Sequence, residues 1–543
     1  MTSLIKGFAL SLLLCFPIAC GEGKGVERLP GRQDGSDTTY TDSDFLPNTS
    51  SSLTWENYIG HAGFNSSNYA YNWRMIVRQG RFDPTTSEGY QTALKILRGN
   101  NLMFGSNSGY PGANDIGKTV GGENALTVFL TKQESTSGQY MKDLATAQAE
   151  RLLAARTEAG TKFTIFWQLG NEINNKEFST TYQNWASSTG HPYPHPASPD
   201  GDGSGDSGTG VDNIVTSTDT GYLGYMMEYY VGPAIEALNA VNANLPEDEK
   251  IKILAGSLAN SRNKNNRDWY KLLVRYRFQG TYCPSLAGKY CYQLIDGITH
   301  HYLFAEYRIS PDNTSGNEGQ SRHQVLAGMY RDFCDPSLEG NRIKAVYTTE
   351  EIGNKSSKSG RAAYQSVIIG LSYLDFWLEN NISPDYGRVM YYGPEAAPDG
   401  KEYTSAAFSM NVLAEIAGGR VLTRKNDLLP DDDNSGLEKY MFATDKGEYL
   451  LAFTTPSPAS VTKPSPVVFN GLTIKGSGYT PVGTAHVFTI DEYLHPTVTL
   501  TASGGQTTVS LSWSKNHTNG SLTVSGGKVT KLNGTVILLL KKQ

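Results

Sequence analysis

From about residue 95 to 420 the apolar positions change period repeatedly. Ser137–Arg156 carries Met141, Leu144, Ala145, Ala149, Leu152 and Leu153 three and four apart, the spacing of one helix face. After Gly160 comes the apolar run FTIFWQL (163–169), too short and too rich in β-forming residues for a helix. The alternation then recurs. Helical spacing over Gly221–Val241 precedes a strand at 251–258, and Asp268–Arg277 precedes one at 294–302. Arg322–Phe333 precedes 343–350, Ala362–Leu378 precedes 387–392, and a helix over Ser405–Ile416 closes the series. Runs such as KAVY (344–347) and RVMY (388–391) are continuously apolar, as parallel strands covered on both faces are. Earlier candidates at 101–106 (NLMFGS), at 125–130 (ALTVFL) and near 54–75 bring the strand total to about eight. The pattern predicts an α/β fold. A (β/α)8 TIM barrel is its natural closure, and a doubly wound open sheet is the alternative.

After Gly418–Gly419 the helical spacing stops. Short β-prone segments follow at 448–455, 486–490, 497–501, 507–513, 521–525 and 535–540, separated by Gly, Asn and Pro turns. They predict a C-terminal antiparallel β-sandwich, with a structural or a carbohydrate-binding role. At the other end, Met1–Cys20 has Lys6, an apolar run over Gly7–Ile18 and small residues before Cys20, the build of a secretory signal. Ala19–Cys20 resembles a bacterial lipobox, in which Cys20 is lipidated; ordinary cleavage and release is the other outcome. The expected organisation is a signal peptide (1–20), a flexible linker (21–50), a catalytic barrel (51–420) and a β-sandwich (421–543).

Composition narrows the partners. The formal charge of −6 gives no basic excess to neutralise a phosphate backbone, which argues against nucleic acid. Charged residues make up 18%, below the roughly 25% of an average soluble chain, and Tyr (32) outnumbers Phe (19). An exported protein fits, placed in the cell envelope through a lipid anchor alone, or released. Beyond the leader's cysteines remain Cys283, Cys291 and Cys334. Cys283 and Cys291 could pair in an oxidising compartment, or stay free thiols; no Cys or His spacing suggests zinc.

Two strand ends carry candidate chemistry. FTIFWQL runs into Gly170–Asn171–Glu172, and IKAVYTT (343–349) into Glu350–Glu351–Ile352–Gly353. Barrel enzymes place reactive groups at the C-terminal ends of strands. A carboxylate at such a point costs several kcal/mol unless it is paired or protonated. Two facing carboxyls are what glycosidic bond cleavage uses, one as proton donor and one ionised to attack the anomeric carbon.

These residues carry a family resemblance. FWQLGNE (166–172) is similar to the strand-four signature of the clan A glycoside hydrolases, and TTEEIG (348–353) to their strand-seven signature. DGITHHY (296–302) and AAFSMNVLAEIAGG (406–419) resemble the heparanase-like and arabinofuranosidase-like branches. The resemblance implies a retaining glycosidase that needs no cofactor and takes a polysaccharide or oligosaccharide substrate. Glu172 would be the acid/base, Asn171 would bind the sugar 2-hydroxyl, and Glu351 would be the nucleophile. Glu350 is the alternate: Thr349–Glu350 fits the Thr-Glu form, Glu351-Ile-Gly the Glu-x-Gly form, and alternation along a regular strand admits only one of the two. His301 and Tyr302 would line the site, and one of Tyr391 and Tyr392 would form a wall for the sugar ring, with core the other reading of both. His300 reads equally as a packed histidine on the other strand face, and Trp167 as core. The other function class in view is a non-catalytic glycan-binding lipoprotein on the same barrel.

Four further motifs weigh less. Gly112–Thr119 matches a P-loop pattern, but Ser108–Pro111 separates it from the preceding strand and Val120–Gly122 starts no helix, so no nucleotide is expected. Gly205–Gly208 reads GDSG within a glycine-rich loop, without a serine-hydrolase scaffold around it. Asp200, Asp202 and Asp206 in that loop are a weak calcium candidate, and His191 and His195 are held apart by prolines.

Overall fold

Eight parallel strands close on themselves: β1 (Ile59–Ala62), β2 (Ile76–Gln79), β3 (Asn101–Gly105), β4 (Ile165–Leu169), β5 (Lys252–Ala255), β6 (Gly297–His301), β7 (Ala345–Glu351) and β8 (Gly387–Tyr392). They pair in sequence order, and β8 returns to β1 with Tyr391 opposite His61. The computed structural model describes residues 54–62, 76–79, 82–105, 119–120, 123–124, 134–170, 173–174, 223–224, 226–259, 261, 264–301, 322–351, 360–392, 406–430, 437–454, 467–489 and 491–543. The expected leader (1–20) and linker (21–50) lie outside them. Helices α1 (Ser87–Leu97), α2 (Glu134–Glu158), α3 (Gly232–Asn242), α4 (Lys264–Val274), α5 (Arg322–Phe333) and α6 (Gly360–Glu379) alternate with the strands from β2 onward, and α7 (Ala406–Ala417) follows β8. This is the TIM-like α/β arrangement the periodicity predicts.

The N-terminal third departs from expectation. The ALTVFL segment (125–130) lies outside the described residues, and the barrel has no gap for it, because β3 pairs directly with β4 through Leu102 and Ile165. Strand β1, IGHA, falls within the stretch near 54–75 expected to hold a strand, whereas β2, IVRQ, was not foreseen; both are four-residue segments, too short and too polar to stand out in a hydrophobic pattern. Helix α1 was also unanticipated. Thr86 caps it by accepting from Gly89 N at 3.1 Å, and its buried stripe is Ala93, Leu94, Ile96 and Leu97.

Alternation along each strand sorts side chains into two cores. Phe104, Trp167, Ile298, Val346 and Val389 face outward and join the helices in one large cluster. Trp167 is core, as its place inside the strand suggested, meeting Phe104 edge-on at 4.8 Å. Met103, Phe166, Leu254, Ala345, Tyr347 and Met390 face inward and form a separate plug. Burying a large apolar side chain of this kind contributes about 1.5–3 kcal/mol. Gly297 completes the plug: a Cβ there would lie 2.9 Å from that of Ala345 and 3.0 Å from Leu254 Cδ2. At the N-terminal floor, Arg388 donates through Nε to Pro384 O at 2.6 Å, with its guanidinium 5.8 Å from the Phe166 ring centre. The Tyr347 hydroxyl donates to Asp385 O beside it. The floor and lumen are filled, which leaves the C-terminal mouth as the end for a site.

Two antiparallel sheets follow. The first orders its strands β9 (Leu422–Arg424), β10 (Glu438–Thr444), β11 (Glu448–Thr454), β21 (Gly534–Lys542), β14 (Tyr479–Thr489), β15 (Tyr493–Leu494). The second runs β13 (Leu472–Lys475), β17 (Gln506–Ser512), β20 (Lys528–Leu532), β19 (Leu522–Ser525), β18 (His517–Thr518), with β12 (Val467–Val468) on β20 and β16 (Thr497–Ser503) on β17. The first sheet is apolar on both faces. Tyr440, Phe442, Leu450, Ala452, Ile537 and Leu539 belong to the barrel's cluster, while Met441, Leu451, Phe453, Val536, Leu538 and Leu540 belong to the inter-sheet core. The unbroken run TVILLL (535–540) is the sequence trace of that double burial.

A polar seam crosses the junction. Arg424 Nε bonds Asp375 at 2.8 Å, and the Tyr440 hydroxyl donates to Glu438 Oε1 at 2.8 Å, with Arg322 4.0 Å away. Trp55 Nε1 donates to Ala417 O at 2.9 Å, tying the entry to β1 to the end of α7. Cys283 and Cys291 are buried free thiols, so the pairing held open from sequence does not occur; burial pushes both up to about 12. Among the described residues, no helix is long and apolar enough to cross a membrane.

Candidate active site

Strand β4 ends at Leu169, and Gly170 turns the chain at φ 95°, a conformation that a side chain would strain. Its carbonyl accepts from Ser257 N at 3.2 Å and from Gln168 Nε2 at 2.7 Å. Beyond the turn, Ile173 N donates back to Ser257 O at 3.1 Å. The buried Asn174 side chain then grips Ala259 from both sides, accepting from its N–H at 2.8 Å and donating to its carbonyl at 3.2 Å. Asn171 and Glu172 lie outside the described residues, but the backbone on either side of them is fastened to the extension of β5. That extension is fastened in turn to β6: Leu258 N donates to Thr299 O at 3.0 Å, His301 N to Leu258 O at 2.8 Å, and Ser261 N to His301 O at 3.1 Å. The ends of β4, β5 and β6 therefore form one hydrogen-bonded rim.

The two histidines of β6 part company. His300 faces the helices, fully buried between the Ser261 hydroxyl (2.9 Å from Nδ1) and the Thr348 hydroxyl (3.1 Å from Nε2). Burial, followed by the charges of His301 and Arg267, pushes it down to about 3, so it is a neutral packed residue at physiological pH. His301 is on the opposite, lumen side, with Thr299 and Gly297, and is also buried.

The end of β7 is irregular. Against β6, His300 pairs with Thr348 and His301 with Glu350, skipping Thr349. Against β8, Val389 pairs with Thr348 and Tyr391 with Glu351, two steps against three. Both neighbours thus report one extra residue in β7, a β-bulge at Thr349–Glu350. Laterally paired residues of parallel strands share a face: Thr299 pairs with Tyr347 inside, and Ile298 with Val346 outside. By register, Glu350 holds the lumen-side position beside His301, and Glu351 the helix-side position beside Tyr391. The regular alternation assumed from sequence does not hold here.

Tyr391, expected to wall the site, does not reach it. Its side chain passes outward to α6, where the hydroxyl donates to Ser366 O at 2.7 Å, and the helix admits it through Gly370, where a Cβ would lie 2.5 Å from that hydroxyl. On β8 the residues alternate, and Tyr391 falls on the face of Val389, not of Met390. Tyr392 ends the strand, and its side chain, like Tyr302, Asp200, Asp202, Asp206, His191 and His195, is outside the described set. Asn174, Ser257 and Thr349 were not singled out from sequence; nothing in their spacing separates them from ordinary loop and strand residues.

Among the described residues, one trio of metal-capable groups comes together: His323, Asp375 and Glu379. Arg424 already bonds both carboxylates, Asp375 at 2.8 Å and Glu379 at 3.1 Å, and His323 Nε2 sits 2.8 Å from Ser372 O. The guanidinium supplies the positive charge there.

No protein-family profile matches the chain, and no curated protein sequence matches it. Solved structures with a similar course include a conserved exported protein from Bacteroides fragilis, 12% identical, covering 89% of this chain and 92% of that one, with a TM-score of 0.38. GH30 xylanase C from Talaromyces cellulolyticus, through its catalytic domain, is 12% identical over 89% and 96%, with a TM-score of 0.36. The family 51 α-L-arabinofuranosidase AbfB from Bifidobacterium longum is 9% identical over 92% and 98%, with a TM-score of 0.37.

Proposed function

We propose that the protein is an exported retaining glycoside hydrolase, with Glu172 as acid/base and Glu350 as nucleophile. The observation that carries this is that two acid-bearing strand ends, β4 and β7, lie at the C-terminal end of one closed barrel whose lumen is plugged. The register of the doublet favours Glu350 over the Glu351 suggested by the Glu-x-Gly spacing. In the first step Glu172 gives its proton to the leaving oxygen as the Glu350 carboxylate attacks the anomeric carbon. The glycosidic C–O bond breaks and a glycosyl ester forms. In the second, Glu172 takes a proton from water as the water oxygen bonds that carbon, and Glu350 leaves as a carboxylate. Asn171 holds the sugar 2-hydroxyl, and His301, Tyr302 and Tyr392 line the pocket. The substrate is a polysaccharide or oligosaccharide met outside the cell, where the leader and a lipidated Cys20 would hold the enzyme.

The test is a panel of 4-nitrophenyl and 2,4-dinitrophenyl glycosides and of polysaccharides, with products read by mass spectrometry. Turnover with retention of anomeric configuration is expected. The 2-deoxy-2-fluoro analogue of the preferred glycoside should label the peptide at Glu350. A wild-type chain that binds glycans yet cleaves none would leave a glycan-binding lipoprotein as the function.

A further inference from the structure

The first sandwich sheet ends in a short hairpin from β14 to β15, in which Val487 pairs with Leu494 and Phe488 with Tyr493. One step farther along that register sets His486 opposite His495. Their imidazole rings lie 4.9 Å apart between centres, at 78° to each other. The base beside them is firmly packed. Phe488 is fully buried, the Tyr493 ring stacks on it at 5.0 Å, and Phe408 of α7 meets both edge-on, at 6.2 and 5.1 Å. The Tyr493 hydroxyl sits 2.7 Å from His486 Nδ1, which commits that nitrogen and leaves Nε2 as the second one. His495 is exposed. Among the described residues it makes ring contacts to His486 and Tyr493 and no hydrogen bond or ion pair.

We propose that His486 and His495 form a two-nitrogen site for a divalent late transition-metal ion, which clips the edge strand β15 to β14. Imidazole suits copper(II), nickel(II) and zinc(II), and copper(II) binds most tightly in that series. With metal–nitrogen bonds of about 2.0–2.1 Å and angles between square and tetrahedral, two imidazoles on one ion have ring centres about 4.5–5.2 Å apart. The observed 4.9 Å falls inside that range. A metal-bound histidine ordinarily gives its other ring N–H to an oxygen, which fixes the ring's orientation. The Tyr493 hydroxyl oxygen is in place to accept it from His486. Exposure of His495 gives the ion an entry path and lets water complete its shell. Calcium and magnesium prefer oxygen ligands and are not held by such a pair. The site does not depend on the glycosidase reading.

The experiment titrates the chlorides of copper(II), zinc(II), calcium and magnesium into the full chain, stripped with EDTA and free of any histidine tag, by isothermal calorimetry. One equivalent of copper(II) should bind, and zinc(II) more weakly, with Kd on the order of 1–100 µM, because two of the four ligands of a structural zinc site are present. Calcium and magnesium should give no heat. Zinc(II) at ten times its Kd should raise Tm by about 2–4 °C. The electron paramagnetic resonance spectrum of the copper(II) complex should show coupling to two nitrogens. His495→Asn changes an exposed position, so it should keep the Tm measured in EDTA. It should weaken copper(II) binding at least about tenfold and leave coupling to one nitrogen. Tyr493→Phe should weaken binding about 10–100-fold. A wild type that takes up no copper(II) at concentrations ten times the top of that Kd range overturns the proposal. Undiminished binding by His495→Asn, or a wild-type spectrum without nitrogen coupling, places the ion elsewhere and overturns it as well.

Discussion

Replacing Asn174 by alanine probes whether the rim of β4 and β5 holds the turn that carries the proposed acid/base. The side chain makes two bonds to Ala259. The Ala259 carbonyl keeps a second donor, Asn266 Nδ2 at 3.3 Å, so it stays paired. The Ala259 N–H is left with none, a buried orphan costing about 1–3 kcal/mol. The small void adds about 1 kcal/mol, for a total loss of about 2–4 kcal/mol. At about 2 °C per kcal/mol for a large domain, Tm should drop by about 4–8 °C. Asn174 sits two residues past Glu172, so a loosened turn should also lower kcat, about 10–100-fold for a displacement near 1 Å. Circular dichroism melts and aryl-glycoside kinetics measure the two effects. Asn174→Asp keeps the acceptor for Ala259 N–H and should fall between alanine and wild type. A Tm within 1 °C of wild type together with unchanged kcat for Asn174→Ala would show that the grip on Ala259 holds nothing in place.

Glu350→Gln should cut turnover by on the order of 10⁴-fold with an unchanged melt, while Glu351→Gln keeps most activity; the reverse pattern would return the nucleophile to Glu351. Burial pushes Glu438 up to about 7 from 4.5, so the fold favours its protonated form. Its contribution is whole below pH 4.5 and is lost as pH rises through 7. Asp375, raised by burial to about 6 from 3.8, has the same sign. Glu438→Gln should flatten the fall of Tm across that window, and an unaltered Tm–pH profile would contradict it. Dithiothreitol should leave Tm unchanged, because Cys283 and Cys291 are unpaired; a drop of several degrees on reduction would mean a disulfide exists.

Much of the barrel was legible because double burial leaves a strong trace. FTIFWQL, IKAVYTT and GRVMYY each carry a lumen residue and a helix-side residue in alternation, so both faces are apolar and the run is continuous. Arg322–Phe333 read as a helix at the bounds the structure gives it. IGHA and IVRQ left no such trace, since a four-residue strand with a Gly, His, Arg or Gln has too few apolar positions to set a period. Two acids at predicted strand ends marked the candidate site in the sequence. Chemistry at strand ends marks where acids matter, but parity along β7 depends on a bulge, and a bulge is set by pairing with β6 and β8 rather than by local sequence. Tyr391 misled for a related reason: one step along the strand separates a pocket wall from a helix contact.

The sheet formed by β9, β10, β11, β21, β14 and β15 packs on α6 and α7 with the same apolar residues that complete the barrel's cluster. A gene cut after Gly419 would accordingly not yield a smaller free-standing barrel. It would yield a chain with a raw greasy flank, prone to clump before any catalysis could be measured. Swapping the tail for an unrelated module meets the same obstacle, unless the newcomer brings its own matching skin for those two helices. Among the described residues, the buried apolar side chains of the outermost sheet pack within the inter-sheet core and not in the barrel's cluster, so that sheet is open to redesign without disturbing the barrel.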